Sequence, residues 1–256
     1  MSGGIINGSF DLTTLLFMAF VLFFIGLVFY LRREDRREGY PLETDNPAKL
    51  ETPGAVWYPT QKEFRQADGS VSFKPDGKRD PAADKMKRLA VWPGSPSEPV
   101  GDPMTSGVGP GAYVLREDKP DVTHEGLPKI VPMRLLPDFD IAKGDPDPRG
   151  MAVIGADGET AGVISDVWVD RAEALIRYHE VELAEGGRKV LLPYAFVNIH
   201  GKARQAKVKA ILAGQFAGVP AHASPDQVTR LEEDKISAYY AGGLLYATSD
   251  RQEPWI

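Results

Sequence analysis

The chain has 256 residues, of which 30 are Lys or Arg and 36 are Asp or Glu, so its formal net charge at pH 7 is −6. Cysteine is absent, which excludes disulfide frameworks, cysteine-ligated metal centres and thiol nucleophiles. The acidic balance argues against a nucleic-acid binder that relies on bulk positive charge, and the length allows one or two domains with a core.

The first predicted element is a transmembrane helix over residues 12–31. These twenty residues carry no charge, and at about 1.5 Å per residue they would span about 30 Å, the thickness of a bilayer core. Asp11 or Ser9 is placed to cap the helix N-terminus. A cleaved signal peptide would need basic residues before a shorter apolar run of about 7–15 residues, and neither condition is met.

Four arginines follow the apolar run: Arg32, Arg33, Arg36 and Arg37. Residues 1–11 contain no Lys or Arg. By the positive-inside rule we expect residues 1–11 to be a periplasmic tail and the chain after the helix to be cytoplasmic. The helix is either a single lipid-facing anchor or packs on other membrane helices through Ala19 and Gly26, and the sequence favours neither.

Residues 32–110 are predicted to be a juxtamembrane and extended segment. The interval 41–110 contains eleven prolines and seven glycines, a density that helices do not tolerate. A short strand is expected at Ser70–Lys74, next to a turn at Asp68-Gly69. The segment also contains aromatic residues that must pack on a folded domain or on a partner: Trp57, Tyr58, Phe64, Phe73 and Trp92.

From about Lys129 the pattern changes to short strands separated by turns, at the spacing typical of a β-barrel. Strands are predicted at 151–154, 160–164, 167–169, 175–183, 189–192, 196–199 and 208–212. A helix over Asp226–Tyr240, capped by Ser224 and ended by Gly242-Gly243, completes a domain assigned to residues 111–247. The two glycines could equally mark a close backbone contact. Residues 248–256 form a C-terminal tail.

The sequence lacks the motifs of several common enzyme classes: the phosphate-binding loop, the H-E-x-x-H zinc motif and the G-x-S-x-G nucleophile elbow. Carboxylates instead lie among the apolar strands: Asp166, Asp170, Glu173, Glu180 and Glu182. They form either a polar rim of the sheet or a cluster that holds and passes protons. The run Glu232-Glu233-Asp234 is interpreted as a solvated helix face.

Seven motifs follow the apolar helix in order. They are R-E-G-Y-P-L-E at 37–43, G-D-P-M at 101–104, G-V-G-P at 107–110, D-V-W-V-D at 166–170, F-A-G-V-P at 216–220, L-E-E-D-K-I at 231–236 and Y-A-G-G-L at 240–244. Each is weakly specific alone, but together they are strongly specific. From Phe10 to about Ala247 the chain closely resembles the H subunit of the photosynthetic reaction centre of purple bacteria.

The resemblance implies a fold of one N-terminal transmembrane α-helix plus a mainly β cytoplasmic domain, a PRC-type barrel, with a short C-terminal helix. It also implies a non-catalytic subunit that caps the L and M subunits on the cytoplasmic side of the photosynthetic inner membrane. Bacteriochlorophyll, bacteriopheophytin, ubiquinone and non-haem iron would be held by L and M, with none bound by this chain. The light-harvesting 1 antenna and membrane lipids are further expected partners, and nucleic acid is not.

The resemblance also assigns roles in proton transfer toward the secondary quinone, which takes two electrons and two protons. Glu173 corresponds to the inner relay acid, with Asp170 beside it. Four residues are candidates for the proton entrance: Asp118, Asp121, His124 and Glu125. Better-known members carry two surface histidines there, whereas this chain has only His124, so we expect no metal site.

Two other functions stay open from the residues alone. One is a membrane-tethered PRC-barrel adaptor that binds a different cytoplasmic protein. The other is a membrane-anchored hydrolase that uses the carboxylates of Asp166, Asp170 and Glu173, which would require two of them to face a substrate pocket.

Overall fold

The computed structural model of the chain describes residues 5–6, 10–40, 42–43, 50–51, 58–67, 69–77, 81–92 and 94–252. Several predictions fall outside these residues: the Ser9 cap, the packing of Trp57, Asp68 in the predicted turn, and the end of the C-terminal tail. The chain divides into two compact units. The first comprises Met1–Ala83 and Ala90–Ser95, and the second comprises Asp84–Leu89 and Pro96–Ile256.

The first unit contains the long apolar helix. Strands β1 (Ile5–Ile6) and β2 (Phe10–Asp11) pair antiparallel before α1 (Leu12–Glu34). The predicted cap is confirmed, because the Asp11 carboxylate accepts a hydrogen bond of 2.7 Å from the Thr14 amide. By length and composition, the helical stretch Leu12–Arg37 is a candidate membrane span with a mean hydropathy of 2.7. The helix is longer than predicted and carries Arg32 and Arg33 in its last turn.

Short antiparallel pairs follow this helix: β3 (Leu42–Glu43) with β4 (Leu50–Glu51), and β5 (Lys62–Arg65) with β6 (Val71–Lys74). The strand predicted at 70–74 is therefore confirmed. Arg37 joins the helix end to the second pair, since its guanidinium contacts Glu34 at 2.8 Å and donates to the backbone oxygens of Thr60 and Lys74. Phe73 and Trp92 are 49% and 62% exposed in this chain, so for these two aromatic residues packing on a partner stays the prediction.

The second unit is built on one seven-stranded sheet. Its members are β9 (Ile130–Pro132), β10 (Ala152–Ile154), β11 (Thr160–Asp170), β12 (Leu175–Leu183), β13 (Lys189–Pro193), β14 (Val197–His200) and β15 (Gln205–Val208). The order is β13-β12-β11-β10-β15-β14, and β9 pairs with the C-terminal half of β11. All pairs are antiparallel except β10 with β15. No pairing within the described residues closes the sheet into a barrel. A separate hairpin, β7 (Met86–Arg88) with β8 (Ser97–Pro99), precedes it.

Two strand predictions were wrong. The segments 160–164 and 167–169 form the single strand β11, which continues through two register shifts, at Ile164/Asp166 and at Trp168/Val169. The strand predicted at 208–212 shares only Val208 with the observed strand, because β15 runs from Gln205 to Val208. The apolar residues after it are buried because they pack outside the sheet: Ala210 and Ile211 lie against the C-terminal helix at Gly243.

The C-terminal helix also differs from its prediction. It is α2 (Arg230–Tyr246), and its N-cap is Thr229 rather than Ser224, with Glu232 completing a reciprocal capping box. It continues through Gly242-Gly243 instead of ending there. A Cβ atom on Gly243 would clash with a methyl carbon of Ile211, so the alternative interpretation of this glycine as a close contact is confirmed.

Apolar side chains lie on both faces of the sheet. The main core contains fully buried Trp168, Phe216, Ile236 and Tyr240 and includes side chains of α2. A smaller cluster is formed by Met133, Val167 and Val169, against which several partly buried side chains pack: Leu136, Phe139, Ile141 and Ile176. Polar side chains in the middle of β11 and β12 are consequently buried, which is the reason that the carboxylates there need partners.

Candidate functional site

Asp170 and Glu173 meet at the end of β11, where the strand gives way to a turn. One oxygen of the Asp170 carboxylate accepts hydrogen bonds from the amides of Ala172 at 2.9 Å and Glu173 at 3.1 Å. The Asp170 side chain is 3% exposed and that of Glu173 is 53% exposed. The turn therefore places one carboxylate inside the protein and the other at its surface.

Lys129 connects these two acids. Its ammonium lies 2.9 Å from Glu173 Oε1 and 3.1 Å from Asp170 Oδ2. The hydrogen bond to Glu173, followed by that to Asp170, raises the pKa of Lys129 above its usual value, so the lysine stays charged near neutral pH. Its backbone amide donates to the Asp121 carbonyl at 2.7 Å. The two carboxylates are thus joined through a cation, and the one direct hydrogen bond between the residues comes from the backbone amide of Glu173.

A charged cavity of about 240 Å³ lies beside this bridge. Its lining residues are Arg116, Asp121, Lys129, Ile130, Asp170, Arg177, Tyr178, Arg230, Glu233, Asp234 and Ser237. They come from the loop before β9, from β9, β11 and β12, and from α2. Since a water molecule occupies about 30 Å³ of liquid volume, this cavity has room for several.

Asp121 is the predicted entrance residue that reaches the charged cavity. Its carboxylate forms an ion pair of 2.6 Å with Arg230, and this hydrogen bond lowers the pKa of Asp121. The Asp118 carboxylate lies next to the N-terminus of α2, where it accepts a hydrogen bond of 2.7 Å from the hydroxyl of the N-cap residue Thr229. Both residues are therefore positioned by the N-terminus of α2.

His124 and Glu125 lie apart from the cavity lining, on a turn between Val122 and Pro128. The His124 side chain is 91% exposed and that of Glu125 is 65% exposed, and their closest charged atoms are 3.9 Å apart. The predicted entrance residues therefore lie in two places. His124 and Glu125 lie on a surface turn, whereas Asp118 and Asp121 lie at the N-terminus of α2. Among the described residues, no group of three or more His, Asp or Glu side chains is arranged to hold a metal ion.

Glu233 is a member of the cavity that the sequence interpretation missed. Its carboxylate accepts a hydrogen bond of 3.0 Å from the Tyr178 hydroxyl, and its side chain is only 15% exposed. Burial raises the pKa of Glu233. The interpretation of residues 232–234 as a solvated face is therefore wrong for Glu233, which follows the capping box at Thr229 and Glu232 and contacts Tyr178 of β12. That capping box is readable in the sequence as T-x-x-E.

A second acid cluster lies within the sheet, away from the charged cavity. Buried Glu180 accepts hydrogen bonds from Lys189 at 2.7 Å, Ser165 at 2.8 Å and Trp168 at 3.1 Å. Burial opposes ionisation of this carboxyl, but these hydrogen bonds outweigh it and lower the pKa of Glu180. Asp166 is paired with Arg134 at 3.0 Å.

The interpretation of the acids as a polar rim is therefore wrong for Asp166, Asp170 and Glu180, which are buried, and right for Glu173 and Glu182, which are exposed. The arrangement that the hydrolase hypothesis requires is not formed by its three acids. Asp166 is engaged with Arg134, and neither Asp166 nor Glu173 lines the cavity that Asp170 lines.

The arginines that follow the apolar helix form local contacts. Arg32 lies 3.9 Å from Asp35, and the Arg36 guanidinium lies 5.6 Å from the centre of the Tyr40 ring. Arg33 belongs to the last turn of α1 and Arg37 pairs with Glu34.

Two protein-family models match this chain. The model described as the photosynthetic reaction centre H-chain N-terminal region matches residues 4–135, which is more than half of the chain. The PRC-barrel domain model matches residues 140–210, the interval that contains β10 to β15. The charged cavity combines Asp121 and Lys129 from the first region, Asp170 and Tyr178 from the second, and residues of α2 beyond both.

Proposed function

Because this chain belongs to the family of photosynthetic reaction-centre H chains, we propose that it caps the L and M subunits on the cytoplasmic side and helps to deliver protons to the secondary quinone. In this role it is a non-catalytic subunit of a light-driven electron-transfer complex. The bacteriochlorophylls, bacteriopheophytins, quinones and non-haem iron would belong to L and M, and the chain would stabilise their assembly.

The observation that carries the proton-transfer proposal is the Lys129 bridge between a surface acid and a buried one. The exposed fraction falls from 53% at Glu173 to 3% at Asp170, while a single ammonium lies within 3.1 Å of both carboxylates. Donor and acceptor atoms at about 3 Å are close enough for a hydrogen-bonded proton step. Glu173 would collect the proton and Asp170 would pass it inward.

Charge energetics give the reason for such a route. A quinone that has received two electrons in a low-dielectric site is costly until it is protonated, because an uncompensated buried charge costs several kcal/mol or more. A protein cap over that site must therefore conduct protons. The charged cavity supports this role, since Asp121 and Glu233 face the same space as Asp170 and water can connect them.

The test of this role uses Glu173→Gln in the intact complex, with Glu182→Gln as a matched control on the exposed side of β12. We expect the flash-induced second electron transfer to the quinone, which is coupled to proton uptake, to slow by about tenfold or more in Glu173→Gln. The first electron transfer and the control variant should be unaffected. Unchanged second-transfer kinetics would contradict the role given to Glu173 while leaving the family membership intact.

The membrane arrangement is a further part of the proposal. The candidate span and the family indicate association with a membrane, and Arg32, Arg33, Arg36 and Arg37 favour a cytoplasmic location for the residues that follow the helix. Since the chain lacks cysteine, Ser2→Cys and Ser249→Cys each introduce one reactive thiol. An impermeant maleimide applied to spheroplasts should label only the first, and labelling of only the second would reverse the orientation.

Co-purification distinguishes this function from that of a membrane-tethered adaptor. The detergent-extracted chain should elute with pigmented L and M subunits that absorb in the near infrared, together with antenna proteins or lipids that surround the complex. A colourless chain that elutes alone or with an unpigmented cytoplasmic protein would favour the adaptor.

A further inference from the structure

Positive charge is concentrated on the hairpin of β14 and β15. The sequence contains no Asp or Glu between Glu185 and Asp226, an interval that holds six Lys or Arg residues. Four of the six fall within eight positions at this hairpin and are exposed: Lys202, Arg204, Lys207 and Lys209. We call the surface that they form the cationic face. It belongs to a chain whose formal net charge is −6.

The strand register shows what surrounds Lys207 on this face. Asn198 of β14 lies opposite Lys207 of β15, and His200 lies opposite Gln205. Side chains alternate across a strand, so these residues point away from the core into which Ala206 points. All four outward positions carry polar side chains. The cationic face is therefore a hydrogen-bonding surface as well as a charged one.

The charges of the cationic face are not neutralised by neighbouring acids. Within the part of the chain that the structure describes, the side chains of Lys202, Lys207 and Lys209 form no ion pair or hydrogen bond. Arg204 donates a hydrogen bond of 3.0 Å to the backbone oxygen of Arg149. Coulombic attraction links Arg204 to Asp147, but the ion pair of Asp147, at 2.7 Å, is with Arg149. The positive charge is thus available to an external anion.

The composition of this face favours lipid headgroups over a protein partner. Lysine is a flexible point charge with three donors, which suits a diffuse layer of phosphates. Specific protein interfaces instead have an apolar core and are depleted in lysine. The chain also carries a candidate membrane span and belongs to a membrane-associated family. Tethering of this kind gives the second unit a high effective concentration of lipid.

We propose that the cationic face binds the headgroups of anionic phospholipids in the membrane to which the chain is anchored. The candidate span and the hairpin would then be two separate attachments to one bilayer. The proposal rests on the membrane association described above but not on the proton-transfer role, since no residue of the cationic face lines the charged cavity.

The test uses the full chain inserted in lipid nanodiscs and the intact complex in the same nanodiscs. Because the chain lacks cysteine, Ala203→Cys provides one thiol for a fluorophore at an exposed position of the hairpin turn. The chain is labelled before it is combined with its partner subunits. The nanodiscs contain either phosphatidylcholine alone or equal parts of phosphatidylcholine and phosphatidylglycerol, with a quencher attached to a trace of the headgroups.

We expect stronger quenching in the nanodiscs that contain phosphatidylglycerol, in both preparations, and loss of the difference at high salt because salt screens the attraction. Each lysine near an anionic surface should strengthen binding about fivefold. Substitution of Lys202, Lys207 and Lys209 together by Gln should therefore weaken the bound state by about a hundredfold. Substitution of the same three residues by Arg, which keeps the charge, should leave it unchanged.

A matched control removes three exposed lysines from other parts of the second unit: Lys85→Gln, Lys87→Gln and Lys119→Gln. This variant has the same net charge as the Gln variant of the cationic face and should be quenched like wild type.

Four results would overturn the proposal. They are equal quenching with and without phosphatidylglycerol, an equal loss in the control variant, selective release by inorganic phosphate over chloride at equal ionic strength, and a response of the isolated chain that is lost in the complex. The third would indicate a site for free phosphate, and the last would show that another subunit covers the face. A chain that does not enter nanodiscs at all would instead contradict the membrane association and this proposal together.

Discussion

The indole of Trp168 donates a hydrogen bond of 3.1 Å to the carboxylate of Glu180 across β11 and β12, with 0% and 2% of the two residues exposed. The same carboxylate accepts hydrogen bonds from Ser165 and Lys189. Arg134 adds a longer contact of 3.4 Å, so Glu180 is a buried charge that accepts hydrogen bonds from four neighbours. Hydrogen bonds to an ionised group are among the strongest in proteins, so we expect Glu180 to stabilise the sheet.

Glu180→Gln should lower the free energy of unfolding by about 1–3 kcal/mol at pH 7, because the amide is neutral and presents its NH₂ group to one of these donors. The pKa of Glu180 is lowered in the folded protein. Its contribution is therefore present above the unfolded pKa of about 4.3 and is lost as the pH falls through the lower folded pKa. Urea denaturation of the detergent-solubilised chain at pH 7 and at pH 3 measures both effects.

Glu182→Gln is the matched control, since this exposed glutamate lies two residues further along the same strand. It should change the free energy of unfolding by no more than about 0.5 kcal/mol. Equal stabilities of Glu180→Gln and the control at pH 7 would show that the buried carboxylate contributes nothing net.

His179 should make the folded state less stable in mild acid. Its pKa is lowered by burial to about 4 in the folded chain, against about 6.5 for an unfolded histidine. Between these values the unfolded state binds more protons, so the free energy of unfolding falls as the pH falls from 6.5 to 4, by about 3 kcal/mol in all. His179→Leu removes this dependence.

Urea denaturation of wild type and His179→Leu at intervals between pH 4 and pH 7 measures the effect. The difference between the two curves isolates His179 from other groups that titrate in this range, including His222. A difference that does not vary with pH would mean that the folded state protonates His179 as readily as the unfolded state.

Substitution by alanine should lower the stability of the fold at Gly243 but not at its neighbour Gly242, both of which lie in α2. In Gly243→Ala the new methyl group would clash with Ile211 Cγ2 and lie 2.7 Å from the Ala210 carbonyl oxygen, and the resulting overpacking should cost about 1–3 kcal/mol. In Gly242→Ala the nearest atoms, on Gly111 and Met104, are at 3.4 Å, so the higher helix propensity of alanine should offset the contact. Thermal unfolding followed by circular dichroism measures both, and a loss in Gly242→Ala as large as in Gly243→Ala would contradict the packing of α2.

Glu233 should destabilise the fold as the pH rises. Burial raises the pKa of its carboxyl, so the folded state holds this proton at a pH where the unfolded state has released it. The associated stability is complete below the unfolded pKa of about 4.3 and is lost as the pH rises through the folded pKa. Glu233→Gln does not titrate, so its Tm relative to wild type should be higher at pH 7 than at pH 4. Glu185→Gln, on an exposed turn, should show no such change.

Much of the architecture was readable from local patterns. The apolar run with Asp11 at its start predicted α1 and its cap, and the strand predicted at 175–183 matches β12 at both ends. The errors occurred where a distant contact overrode a local preference. Gly242-Gly243 is a common helix end, but here α2 continues because the missing side chain allows close packing on Ile211.

The sequence by itself determined the apolar helix, the mainly β domain and the order of motifs by which the family was recognised, because periodicity and motif spacing are local properties of the chain. Only the tertiary structure decided which acids are buried and what they contact. Lys129 meets Glu173 across 44 positions, and Arg230 meets Asp121 across 109. Pairings of this kind depend on how strands and helix pack in three dimensions, and no local pattern specifies that packing.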